Sequence, residues 1–428
     1  MKKTKKIGLW EAVAMAVGTM IGASIFSIFG VGAEIAGRDL PLAFVLSGLF
    51  ALLVAYSYAK LGSKIISNAG PIAFILKGIG DNLFTGALAI LLWLSYVVSI
   101  SLFAKGFAGY FLPLVHLTIT PLALGITEII LIALFTAINF FGSKAVGKAE
   151  FYIVLVKLSI LGVFILLGFL TINPAFLAPS LDKQGLHGIL YAGVVFFLSY
   201  MGFGLVTSAS ENMEDPKRNV PRAIFISIGI VMFVYVSVSL VAVGNLSLAQ
   251  LIKAQDNALA VAARPFLGSF GFILISVGAL FSISSALNAT LYGGANIAYS
   301  LAKDGELPEV FERKIWFKST EGLYFTAALG LLFALLFDMG EIATITSAIF
   351  TIIYIFVLIS HYRLTKECGG NRGFILFNTI VLMVVFLALV SYQWQTQRSA
   401  FYGTFITLGG AILIEALYRY LSKRLFTR

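Results

Sequence analysis

Long apolar stretches separated by short polar ones run through almost the whole of this 428-residue chain. A helix needs about 20 residues to cross the ~30 Å hydrocarbon core of a bilayer. Stretches of that order recur at 9–36, 40–62, 83–112, 122–142, 149–171, 187–210, 222–246, 267–301, 321–338, 341–361, 374–392 and 400–418. The pattern predicts an all-α integral membrane protein with 12 transmembrane helices. Between spans seven and eight, Leu248 to Arg264 reads as one or two short surface helices, bracketed by Gly244-Asn245 and Pro265. Span eight is long enough that, if helical throughout, it must tilt or project beyond the bilayer.

Composition excludes more than it adds. With 59% hydrophobic and 12% charged residues, the chain has too few polar residues for an additional soluble domain of ordinary size. The first apolar run is full length and follows Met1-Lys-Lys-Thr-Lys-Lys6 directly, without a short cleavable core, so the first span is expected to be retained. The one cysteine, Cys368, permits no internal disulfide. A formal charge of +10 would suggest nucleic acid in a soluble chain, but topology accounts for it here. With the N-terminus placed inside, only Arg38, Lys105, Lys183, Lys253, Arg264 and Arg398 fall outside, and Lys157 falls within a span. Every other Lys and Arg lies on the inner side, which predicts cytoplasmic N- and C-termini in a multi-pass protein of the plasma membrane.

Two spans carry glycine at mid-depth, where a plain anchor would carry Leu, Val and Ile. In span one the run is Gly18-Thr19-Met20-Ile21-Gly22-Ala23-Ser24-Ile25-Phe26. Each glycine costs roughly 1 kcal/mol against alanine in a helix interior, so two of them four apart make a break cheaper. A break frees backbone N–H and C=O groups that lipid cannot satisfy, so it must face protein or a polar cavity. The second half-helix then offers an anion site at its N-terminal end, and the first a cation site at its C-terminal end. That arrangement suits a zwitterion. Taken alone, Gly18 and Gly22 fit a GxxxG packing face as well. Span six tips the balance with Ser199-Tyr200-Met201-Gly202-Phe203-Gly204, again at mid-depth. Spans one and six lie five apart and cross in opposite directions. Interrupted spans at matching positions of two five-span halves point to a 5+5 inverted-repeat transporter with broken helices one and six. Residues 1–171 form the first repeat, 187–361 the inverted second, and 374–428 spans eleven and twelve with the C-terminus.

Lys157 is the one basic residue well inside a span, in Val154-Leu-Val-Lys-Leu-Ser-Ile-Leu161. Holding a lysine at that depth costs ~2.5–3.5 kcal/mol on insertion scales, so it implies a partner or a pathway. Desolvation makes a buried lysine able to titrate near neutrality. A fixed internal cation bracing span one is the alternative. Glu128 and Glu415 lie nearer span ends and read as interface carboxylates. His116, His187 and His361 are scattered and offer no metal-ligand spacing. No nucleophile–base constellation stands out either, so no enzyme, metal or cofactor is expected.

Together the two breaks and the inner-loop motifs Ser67-Asn-Ala-Gly-Pro71, Glu211-Asn-Met-Glu-Asp-Pro-Lys-Arg-Asn-Val-Pro-Arg-Ala-Ile224 and Asp304-Gly-Glu-Leu-Pro308 resemble the amino acid–polyamine–organocation (APC) superfamily. The resemblance covers spans one to ten and implies the LeuT/APC fold of five-plus-five inverted repeats. Carried over, it puts a substrate α-carboxylate on the amides of Gly22, Ala23 and Ser24, beside Ile21. It puts the α-amino group on carbonyls of Met20, Leu198 and Met201, with Phe203 as a gate. It sets Lys157 where sodium-coupled relatives hold an ion, meeting Gly18 and Ser282. Where many members have Gly-Ser-Gly or Gly-Thr-Gly, this chain has Gly22-Ala23-Ser24, which displaces the hydroxyl by one position.

The leading reading is a secondary active transporter that moves neutral or broadly chosen L-amino acids with a proton and without sodium. No acidic or basic side chain lies in either break, so a charged substrate side chain would be buried unpaired. Exchange of one amino acid for another would use the same site. A receptor that binds without transporting is a reading of another class. Receptors usually append a signalling domain, for which the end at Arg428 leaves no room.

Overall fold

The computed structural model describes residues 6–22, 24–140, 146–179, 183–303, 311 and 321–421. Ala23 and the Asp304-to-Pro308 motif lie outside these residues. Among the described residues, eleven helical stretches are long and apolar enough to cross a membrane, and Gly322–Leu336 is a shorter apolar helix. A helix therefore stands at each of the twelve predicted spans. Several begin on side chains that satisfy the first free N–H groups. Asn82 accepts from the amides of Phe84 and Thr85 ahead of span three. Asp338 and Glu341 form a capping box at span ten, and Asn371 caps span eleven. Span two, Leu40–Gly62, carries Pro41 in its first turn, where the missing N–H is no loss.

Burial sorts the helices into a centre and a periphery. Of the apolar window of span three, Leu83–Leu114, 89% is buried, against 17% for span four and 28% for span five. Span three packs against spans eight, nine, ten and twelve, while the first half of span one packs against spans five, six and seven.

Four features differ from the sequence reading or refine it. The link between spans two and three contains a nine-residue helix, Pro71–Ile79, which starts on a proline and buries Phe74 and Ile75. Span eight does not run straight, because Gly268 takes φ +60° and breaks the helix near its start. The link between spans seven and eight forms two short helices, Leu248–Ala254 and Ala258–Ala262, and its tip is wedged into the bundle. A Cβ on Gly30 would meet Gln255 O at 2.1 Å, and one on Gly109 would meet Asp256 Cβ at 2.5 Å. Burial pushes the Asp256 carboxyl up to about 6, against the pull of Lys105.

The fourth is a refinement. Glu128 and Glu415, read as interface carboxylates near span ends, are buried within the protein, 1% and 0% exposed. Glu128 pairs with Lys105 at 3.4 Å. Glu415 pairs with the equally buried Arg419, which also holds Asp81 at 2.6 Å and so ties span twelve to the start of span three. A buried charge needs such a partner, and each carboxylate lies where a cation can reach it.

Candidate functional site

Span one is helical over Leu9–Met20, stops at Ile21 and Gly22, and resumes as Ser24–Ser27 and Phe29–Ala36. The last carbonyls of a half-helix lack helical donors. Here three other spans supply them. From span five, Lys157 Nζ donates to Gly18 O at 2.8 Å. From span eight, the Ser282 hydroxyl donates to Gly22 O at 2.7 Å and lies 3.2 Å from Ile21 O. From span seven, the Tyr235 hydroxyl donates to Met20 O. Lys157 is only 2% exposed, and its charge sits at the negative end of the half-helix dipole. Lys157, Gly18 and Ser282 thus gather at one helix end, with the lysine and the serine on different carbonyls. Gly22 has no room for a side chain, since a Cβ would fall 2.7 Å from Ala286 Cβ in span eight.

Span six keeps its helical course but changes pitch. Lys183–Phe196 is α-helical, Phe197–Gly204 tightens into a 3-10 helix, and Leu205–Ser208 returns to α. Eight residues is long for that form, whose hydrogen bonds are poorer, and a stretch of it inside a helix marks strain or a hinge. Span six touches the first break directly: a Cβ on Gly202 would meet Met20 N at 2.8 Å. The Tyr235 hydroxyl, 3.3 Å from Ser199 O, joins the two breaks. The Tyr354 hydroxyl of span ten donates to Met201 O at 3.4 Å.

Between the breaks lies a cavity of about 170 Å³. That is large beside the ~10–15 Å³ that admits one water. Thr19, at mid-bundle, is exposed into it. Of the residues named from sequence, Met20, Ser24, Leu198 and Met201 line the cavity. Ile21, Gly22 and Phe203 are buried beside it, and Ala23 is outside the described residues. Phe203 does not lie across the cavity. Its ring stacks on Tyr354 at 5.7 Å and meets Tyr58 edge-on at 5.3 Å, and those two tyrosines form the wall in front of it. Among the described residues, no Asp, Glu, Lys or Arg lines the cavity.

Sequence reasoning missed much of the wall: Tyr58 in span two, Tyr96 and Ser99 in span three, Thr290 and Gly293 in span eight, Thr346 and Tyr354 in span ten. It missed Tyr235 as well. The paired glycines Gly293-Gly294 were the available signal, because they mark a close approach in the middle of a long span.

The cavity reaches Pro71 and Ser208 at the end of the bundle that carries Ile7. Two loop motifs latch together there. Asn68 donates to the Glu211 carboxylate through its backbone N–H at 3.0 Å and its side-chain amide at 3.2 Å, and Ser67 N donates to Ser210 Oγ at 3.1 Å. Ile7 exchanges backbone hydrogen bonds with Asn212 and Glu214, at 2.8 and 2.9 Å. Gly70, at φ +57°, closes the corner where a Cβ would fall 2.4 Å from Ser208 Oγ.

Among the described residues, a helical bundle with two interrupted spans faces a central cavity without charged lining, an architecture that suits a membrane carrier. The sequence profile described as "Amino acid permease" matches residues 7–416, and the chain belongs to that family, within the APC superfamily. It is 66% identical over 425 residues to an uncharacterized protein of Methanocaldococcus jannaschii, covering 99% of this chain and 98% of that one. To the inner membrane transport protein YbaT of Escherichia coli it is 31% identical, covering 98% and 97%. To the branched-chain amino acid permease BcaP of Bacillus subtilis it is 25% identical, covering 71% and 68%. The protein is an amino-acid transporter embedded in the membrane through many helices.

Proposed function

We propose that this transporter is a proton-coupled, sodium-independent symporter of neutral L-amino acids in the plasma membrane, with both termini cytoplasmic. The observation that carries the coupling is the buried Lys157 ammonium on Gly18 O, at the broken end of span one. A proton does work only if its affinity differs between the two access states. Protonated Lys157 clamps span five to the first half of span one and favours outward opening. Loss of the proton loosens that clamp and lets the half-helix swing, opening the inner side. Spans one to five and six to ten act as inverted repeats that rock about the cavity.

The proposed substrate contacts are those that the family resemblance implies. The α-carboxylate meets the amides of residues 22–24, and the α-amine meets the carbonyls of Met20, Leu198 and Met201. In the present conformation tyrosine hydroxyls already occupy two of those carbonyls, Tyr235 on Met20 and Tyr354 on Met201. An arriving ammonium shares or displaces them. The cavity wall, uncharged among the described residues, favours neutral side chains, in keeping with the branched-chain amino acids for which the Bacillus subtilis relative is named. Purified protein in sodium-free liposomes tests the reading. A gradient acidic outside and alkaline inside should drive accumulation of a labelled neutral amino acid. Uptake that ignores the gradient and demands only internal amino acid would make the protein an exchanger instead.

A further inference from the structure

We infer that Tyr96, seated in a notch formed by Gly293 and Gly294, sets the size limit on the substrate side chain. This rests on the cavity being the transport site and adds what decides its width. Span three is buried on nearly every side from Thr85 to Val98, yet Tyr96 and, one turn on, Ser99 are only half-buried because they face the cavity. Opposite them, Gly293 of span eight also lines the cavity. The tyrosine ring lies where a side chain at 293 would go. A Cβ there would stand 2.9 Å from Tyr96 Cε1, well inside the 3.4 Å at which ordinary contact begins.

The second glycine of the pair accommodates the base of the same residue. A Cβ on Gly294 would be 3.2 Å from Tyr96 Cβ and 2.9 Å from Thr326 Cγ2. Thr326 is itself pinned by a 3.0 Å hydrogen bond from Trp93 Nε1. A methyl group added at 293 therefore displaces the Tyr96 ring and, on this inference, narrows the cavity that both residues line. The glycine pair keeps the ring folded back against span eight, and the space this leaves is what a branched side chain fills. Neighbouring Ser99, Thr290 and Leu102 give that part of the wall both hydroxyl and apolar groups, with no charge. The class it admits is small to medium neutral side chains.

Liposome uptake of labelled alanine, competed by alanine, serine, valine, leucine and phenylalanine, tests the inference. In Gly293→Ala, alanine should compete within about twofold of wild type while leucine weakens about tenfold or more, the discrimination that one methylene of lost space produces. Tyr96→Ala should improve competition by phenylalanine. The double variant Gly293→Ala/Tyr96→Ala should recover leucine, because the added methyl acts only through the ring. Tyr96→Phe should keep the wild-type ranking and so exclude a role for the hydroxyl. Equal loss of alanine and leucine in Gly293→Ala, or a leucine loss that persists in the double variant, would overturn the inference. Gly22→Val separates this failure from that of the site itself. If Gly22→Val abolishes binding while the ranking never shifts, the site stands and the size limit falls. If all variants bind and rank as wild type, both fall.

Discussion

The two interruptions resolve the same difficulty by different means. In span one the helix stops, and its free carbonyls are taken by side chains from spans five, seven and eight: Lys157, Tyr235 and Ser282. In span six the backbone stays helical in a tighter form, and what the interruption needs from outside is room. Gly202 supplies that room by backing onto Met20. Polar donors hold the first break, while close approach and the Tyr235 and Tyr354 hydroxyls together hold the second. A titratable cation, Lys157, is among the donors at the first break, whereas the donors at span six are tyrosine hydroxyls. The proposed coupling chemistry therefore sits at span one.

The largest effect is expected where a side chain is forced into the first break. Gly22→Val puts bulk 2.7 Å from Ala286 Cβ and 3.0 Å from Thr19 O. It should abolish substrate binding, measured by scintillation proximity, while the protein still elutes as a folded species on gel filtration. Normal affinity would reduce the first break to a packing face. Gly202→Ala tests the other half of the comparison. Its methyl would press on Met20 N, a backbone atom, and should weaken binding about tenfold, as overpacking of 1–3 kcal/mol implies.

Smaller effects separate the donors. Removing one hydroxyl from a buried hydrogen bond costs about 1 kcal/mol. Tyr235→Phe should lower thermal stability in detergent more than Tyr354→Phe, because Tyr235 serves carbonyls in both breaks and Tyr354 makes a single 3.4 Å contact. Equal shifts, or the reverse order, would mean that Tyr235 does not join the two breaks.

The spans, the two glycine runs and the isolation of Lys157 could be read along the chain because each is a local signal: apolar length, glycine at mid-depth, a charge with no polar neighbour. The partners were harder to see. Tyr235 lies 215 residues from Met20, and a tyrosine inside a span has many unremarkable uses. The reading of Glu415 from depth alone missed its pairing, although Arg419 four residues on was a legible helical partner. Asp81, which completes that cluster, is 338 residues from Arg419. The tightened form of span six was not legible either, since glycines that permit a break also permit a close contact.

The central claim is that Lys157 exchanges its proton as span one moves, and Lys157→Arg tests it most directly. Arginine keeps the charge but is effectively never deprotonated. In liposomes under a gradient acidic outside, the variant should bind amino acid and yet fail to accumulate it, with gel filtration confirming the fold. Accumulation at the wild-type level would contradict the account, make residue 157 a permanent brace, and remove it from the proton's route.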